Sequence, residues 1–179
     1  LTGCLLALLW PASLCLAQNL LLSNFVLDSQ AGDLMLRFSL SLDDQTRVQT
    51  LLQEGATLAL RCDATLQRKR GVLPDRVLAE RTLVQILQSD TLTREYQITI
   101  PGTDRRKGDR DLKALLDGAW GQLDMNLGPF EALERGQAYS LDLEVALRYD
   151  DVPTWMRWAL FFWSWDVAPR ARYQMDFVY

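Results

Sequence analysis

The sequence predicts a mainly β fold, an antiparallel β-sandwich or strongly curved sheet of about seven strands with two or three short helices. Three observations support this class. Alternating apolar and polar residues recur in short runs, as in strands with one buried and one solvated face. Glycine or proline follows several of these runs, where turns are expected. Helical spacing of apolar residues is clear in only two short segments.

The strongest strand signals lie in three segments in which every second residue is mostly apolar. The alternating residues are Leu34, Leu36, Phe38, Leu40 and Leu42 in the first, Leu58, Leu60, Cys62, Ala64 and Leu66 in the second, and Tyr139, Leu141, Leu143, Val145, Leu147 and Tyr149 in the third. Weaker alternation covers residues 20–28, 76–87, 93–100 and 172–179. These seven runs account for the predicted strands.

Two helices are expected between the strands. The first begins after Asp43 or Asp44 and ends at Gly55, because acidic residues cap helix N-termini and glycine ends helices. The second begins after Asp109 or Asp111. Their buried faces carry apolar residues at helical spacing, namely Val48, Leu51 and Leu52 in the first and Leu112, Leu115, Leu116 and Ala119 in the second. Residues 101–108 are predicted to form a polar loop.

The N-terminal segment indicates export. Residues 1–17 carry no charge, are rich in leucine, and end in Cys15-Leu16-Ala17, which suits cleavage before Gln18. We therefore expect residues 1–17 to be a secretory signal peptide truncated at its start, and residues 18–179 to be a single mainly β domain. An uncleaved anchor is the alternative, although Pro11 and a length near the lower limit of about 17 residues argue against a span.

Composition excludes several chemistries. The chain has no histidine, so Ser-His-Asp and Cys-His catalysis are impossible. After cleavage, Cys62 would be the one remaining cysteine, which leaves no internal disulfide and no thiolate zinc site. The net charge of −4 argues against a nucleic-acid partner. We expect no catalytic residues, no metal ligands and no cofactor.

Several segments resemble a known family. A helix, a glycine and a strand follow one another across residues 52–66, and Gly136 and Tyr139 lead into a strand followed by Pro153. With the exported N-terminus and the closing Phe162-Trp163-Ser164-Trp165-Asp166, the chain resembles the bacterial family called domain of unknown function 4390. That resemblance implies an exported protein of Gram-negative-type bacteria, without an assigned activity, and makes a membrane sensor one candidate partner. The family often has aromatic residues where this chain has Arg68-Lys69-Arg70-Gly71.

An aromatic segment near the C-terminus is the first candidate contact site. Residues 155–165 hold four of the six tryptophans. Such a segment is normally a buried hydrophobic plug, but tryptophan also favours half-solvated surfaces. The candidate contacts with a partner or a membrane are Trp155, Trp158, Phe162, Trp163 and Trp165.

Charged residues provide two further candidates. A basic patch of Arg68, Lys69, Arg70, Arg105, Arg106 and Lys107 would lie on one end of the sheet if both clusters occupy loops there, facing anionic lipid or an acidic partner. Ordinary solvated loop charge is the alternative. Asp142 and Glu144 share one strand face, and paired carboxylates support glycoside hydrolysis, although that face is solvated.

These features favour an exported, non-enzymatic binding or accessory module of the bacterial cell envelope, periplasmic or membrane-associated, acting on an envelope protein partner with possible contact to the membrane surface. A carrier that encloses an apolar ligand such as a lipid chain is the second hypothesis. A hydrolase that uses carboxylates alone is the third.

Overall fold

The computed structural model describes residues 19–71, 73–150 and 166–179. Within them the chain forms nine strands, two α-helices and one turn of 3₁₀ helix. In chain order these elements are β1 (Leu20–Gln30), β2 (Asp33–Leu42), α1 (Thr46–Gln53), β3 (Leu58–Arg68), β4 (Arg76–Asp90), β5 (Glu95–Thr99), β6 (Arg106–Asp109), α2 (Leu112–Trp120), β7 (Leu123–Pro129), the 3₁₀ turn (Phe130–Ala132), β8 (Ala138–Tyr149) and β9 (Ala171–Val178).

The strands form two antiparallel sheets that pack as a sandwich. The smaller sheet has the order β1-β2-β7, and the larger sheet has the order β6-β5-β4-β3-β8-β9. The sheets meet where β7 lies against β4 and where β1 lies against β9. At the second meeting line the rings of Phe25 and Tyr173 stack with their centroids 3.6 Å apart. The predicted mainly β, sandwich-like class is confirmed.

Alternation along the strands builds the core. On β3 the five apolar residues predicted to share a face are all buried, and β8 sets its own buried residues beside them, with Leu60 opposite Leu147 and Cys62 opposite Val145. Buried residues of β2 and β7 supply the facing layer. One cluster of close-packed apolar side chains therefore fills the space between the sheets.

Both predicted helices are present. The carboxylate of Asp44 accepts the backbone N–H of Thr46 at 2.9 Å ahead of α1, although Gln45 holds the N-cap position itself. Asp111 caps α2 by accepting the backbone N–H of Lys113 at 2.9 Å. Gly55 follows α1 with φ +89°, a left-handed conformation that glycine adopts without steric cost.

The predicted polar loop at residues 101–108 is wrong in its second half. Arg106–Asp109 form strand β6, which pairs with β5 at the edge of the larger sheet. All four residues are exposed, so the strand has no buried face and carries no alternation signal. β7 was also not predicted, although Leu123, Met125 and Leu127 alternate inward along it.

Candidate functional site

The first basic cluster, Arg68, Lys69 and Arg70, lies at one end of the larger sheet and contacts acidic residues there. Arg68 ends β3 and forms an ion pair with Glu134. Lys69 contacts Asp176 on β9 at 2.7 Å, and the Lys69–Asp176 hydrogen bond raises the pKa of Lys69 and lowers the pKa of Asp176. The backbone N–H of Arg70 binds Asp75. Two of the three cationic side chains of this cluster, Arg68 and Lys69, are therefore paired within the fold.

The second basic cluster lies far from the first. The register aligns Arg68 with Arg76 on β4, whereas Arg106 aligns through Thr99 with Ile86 on the same strand. Arg76 and Ile86 lie about 30 Å apart, because a strand rises about 3.3 Å per residue. The expectation that both clusters share one end of the sheet is wrong. The strand register sets how far along the sheet each cluster lies, and the expected loop positions did not contain that information.

The candidate aromatic contacts lie outside the described residues. Trp155, Trp158, Phe162, Trp163 and Trp165 fall in residues 151–165. The described chain on either side of this segment is attached to the larger sheet. On one side, Asp150 donates its backbone N–H to the carbonyl of Thr57 at 2.9 Å. On the other, Asp166 accepts hydrogen bonds from Arg148 at 2.8 Å and from Arg170 at 3.0 Å. None of the helices in the described part of the chain is long and apolar enough to cross a membrane.

The paired carboxylates lie in an open groove on the outer face of the larger sheet. This outer groove crosses β3, β8 and β9 and has a volume of about 590 Å³. Arg170 and Arg172 each donate to one oxygen of Glu144, both at 3.0 Å. A carboxylate held in this way suits a surface ion pair better than a general acid, which must carry a proton to the substrate. In residues 19–71, 73–150 and 166–179 no three side chains converge as metal ligands.

Asp63 closes the outer groove beside Glu144. Burial alone would raise the pKa of this carboxyl, but hydrogen bonds from Arg61 at 2.7 Å and Thr82 at 2.6 Å, helped by the charges of Arg61 and Arg148, hold its pKa below the usual value. Asp63 is therefore an ionised member of a surface polar network. These hydrogen bonds tie Asp63 to side chains of β3 and β4 on the outer face of the larger sheet.

Cys62 is buried in the core and should not react as a thiol. Burial, followed by the charge of Asp63, raises the pKa of the Cys62 thiol to about 12. Almost no thiolate exists at pH 8, and the thiolate is the nucleophilic form. In a chain carrying Cys4→Ser and Cys15→Ser, we expect a disulfide reagent to label Cys62 only after denaturant is added. Rapid stoichiometric labelling of the native protein would contradict this packing.

Three of the four sheet edges in the described residues are blunted. β1 carries a bulge between Ser23 and Val26. β6 spans four residues and contains Gly108. On β7, Arg81 reaches from β4 and donates to the backbone carbonyl of Asn126 at 3.1 Å. Bulges, short strands and covering side chains are among the devices by which proteins prevent edge pairing.

β9 has none of these three devices, although Arg172 and Asp176 place charges along it. It is a regular eight-residue strand without proline, glycine or a register shift. Tyr179, just after it, donates its backbone N–H to Gln137 beside β8 at 3.1 Å. Backbone groups alternate in direction along an antiparallel strand, so those of Arg172, Gln174, Asp176 and Val178 point away from β8. We call these four residues the β9 edge. Sequence reasoning recognised the strand but missed its position at an edge, which depends on the whole sheet order.

Fold and surface together define an antiparallel β-sandwich domain whose described residues present surface grooves and one regular open edge. The chain belongs to the family described as "Domain of unknown function (DUF4390)", which matches residues 17–176. This confirms the resemblance seen in the sequence. No curated protein matches the chain, and no solved structure matches it.

Proposed function

We propose that this domain is an exported, non-enzymatic binding module of the bacterial cell envelope, which holds an extended segment of a protein partner along the β9 edge. The observation that carries the proposal is the contrast between β9 and the other three edges, which are blunted. Proteins suppress exposed regular edges because they pair with other chains. An edge left regular is therefore suited to strand addition.

The chemistry of the β9 edge fits a peptide segment. Its outward backbone N–H and C=O groups supply the hydrogen bonds of an added strand, and alternating side chains supply specificity. The outer groove begins at Arg172 and Gln174 of β9 and continues onto β8 and β3. A partner strand laid along β9 would place alternate side chains beside this groove. The mixture of Asp142, Glu144 and Arg172 in the groove favours a polar or charged partner surface.

A photocrosslinking experiment in the bacterium that encodes the protein tests this function. A photoreactive amino acid is placed at Val178, which is 71% exposed at the β9 edge, or at Leu92, which is 93% exposed in the turn between β4 and β5. We expect one envelope polypeptide to crosslink through position 178 and not through position 92. Mass spectrometry of the adduct identifies that polypeptide.

A matched pair of variants shows whether backbone pairing is responsible. Gln174→Pro removes one outward N–H and places a ring on the edge, whereas Gln174→Ala removes the same side chain and keeps the N–H. We expect proline to reduce the adduct about tenfold, as the loss of a hydrogen bond and a steric block imply, and alanine to preserve it. An adduct equally strong in both variants contradicts strand addition, and an adduct of two copies of this chain would assign the edge to self-association.

A further inference from the structure

A second concave surface lies near the β6 edge of the larger sheet, at the other end of the strand order from β9. This basic cleft is formed by the β5–β6 hairpin, the end of α2 and the start of β7, and it encloses about 490 Å³. Leu83, Ile98 and Leu123 give it an apolar floor. A volume of this size falls in the range of small-molecule sites, roughly 300–1,000 Å³.

Gln85 places available hydrogen-bond donors in the floor of the basic cleft. Its side chain is 94% buried, being 6% exposed, and it lines the cleft. The indole Nε1–H of the fully buried Trp120 donates to Oε1 of Gln85 at 2.9 Å. Because an indole N–H is only a donor, this bond fixes the amide orientation and leaves the Nε2 donors for another acceptor. In residues 19–71, 73–150 and 166–179, no acceptor contacts Nε2, so its N–H groups are available to a group that enters the cleft.

Positive charge lies at the mouth of the basic cleft. Lys107 donates to the backbone carbonyl of Gly118 at 2.8 Å, near the C-terminal end of α2. Arg105 lines the mouth, and none of the ion pairs between described residues includes it. Two acidic residues, Asp104 and Asp124, also line the cleft, and Asp124 accepts a hydrogen bond from Gln122. The three basic residues at positions 105–107 exceed these two acids, so the mouth favours an anion.

We propose that the basic cleft binds a small monocarboxylic acid with an apolar chain. The carboxylate accepts hydrogen bonds from Gln85 Nε2 and from the guanidinium of Arg105, and the chain covers the apolar floor. A carboxylate satisfies the Gln85 donors and the unpaired Arg105 together, which neither a cation nor a neutral hydrocarbon does. The site is independent of strand addition, because β9 lies at the other edge of the larger sheet.

Titration with octanoate, followed by nuclear magnetic resonance of ¹⁵N-labelled full-length protein, tests the proposal. The indole resonance of Trp120, assigned by its loss in Trp120→Phe, reports on the floor of the cleft. We expect a saturable shift with octanoate and none with octylamine, which has the same chain and the opposite charge. Absence of a saturable shift, or an equal shift with octylamine, would overturn the proposal.

Three variants locate the contacts. Gln85→Glu keeps an acceptor for the Trp120 N–H but removes the amide donors, so it should abolish binding. Arg105→Gln changes an exposed residue and should weaken binding about tenfold, as expected for a lost charge-assisted hydrogen bond. Arg135→Gln, at an exposed position between the 3₁₀ turn and β8, should bind like the unmodified chain. If Arg105→Gln also binds like the unmodified chain, the proposal fails even where Gln85→Glu does not fold.

Discussion

Replacement of Leu60 by alanine is expected to lower the free energy of unfolding by about 3 kcal/mol, within the range found for buried leucine-to-alanine changes. Leu60 is fully buried on β3. It lies between Gln85 of β4 and Leu147 of β8, near the middle of the larger sheet. Truncation removes apolar surface from the core and leaves a cavity that neighbouring strands cannot easily close, because both are hydrogen-bonded to β3.

Urea unfolding followed by circular dichroism measures this effect as a lower midpoint with an unchanged slope. Leu92→Ala is the matched control, because Leu92 is 93% exposed in the turn after β4. We expect its unfolding free energy to stay within about 0.5 kcal/mol of the unmodified value. Equal losses in both variants would show that Leu60 does not occupy the core between the sheets.

The core was predictable because its signal is local. Strands β2, β3 and β8 each have one buried and one solvated face, so their apolar residues recur at every second position. β4 is less regular, since its inward residues include Arg81 and Gln85 among the apolar ones. Both polar side chains find partners at the margin of the smaller sheet, on Asn126 and Trp120. A sequence pattern alone does not reveal where one sheet stops covering the other.

The candidate sites were less predictable because they depend on sheet order and register. The sequence marks Arg68 and Arg106 equally as members of basic clusters. Strand pairing along β4 and β5 nevertheless places the two residues about 30 Å apart along the strand direction. Likewise, the alternation in β9 predicts a strand and does not say whether one or both of its sides are paired. The open edge and the basic cleft arise from the order β6-β5-β4-β3-β8-β9, which places them at opposite ends of one sheet.

Proline substitution at two successive residues of β9 is expected to give very different losses of stability. Met175 lies opposite Leu141, and its backbone N–H points toward β8 by alternation from Tyr179. Met175→Pro therefore removes a ladder hydrogen bond, leaves a carbonyl of β8 without its partner, and truncates packing on the half-buried Met175 side chain. Together these effects should lower the free energy of unfolding by about 3 kcal/mol.

Gln174→Pro should cost within about 1 kcal/mol, because the N–H of Gln174 belongs to the β9 edge and proline is tolerated where that group faces away from the sheet. Gln174→Ala separates out the hydrogen bond from the Gln174 side chain to Ser140, which measures 3.3 Å. Thermal and urea unfolding of the three variants measure the difference. Equal losses at positions 174 and 175 would mean that both N–H groups are engaged, and the β9 edge would then have no free backbone with which to receive a partner strand.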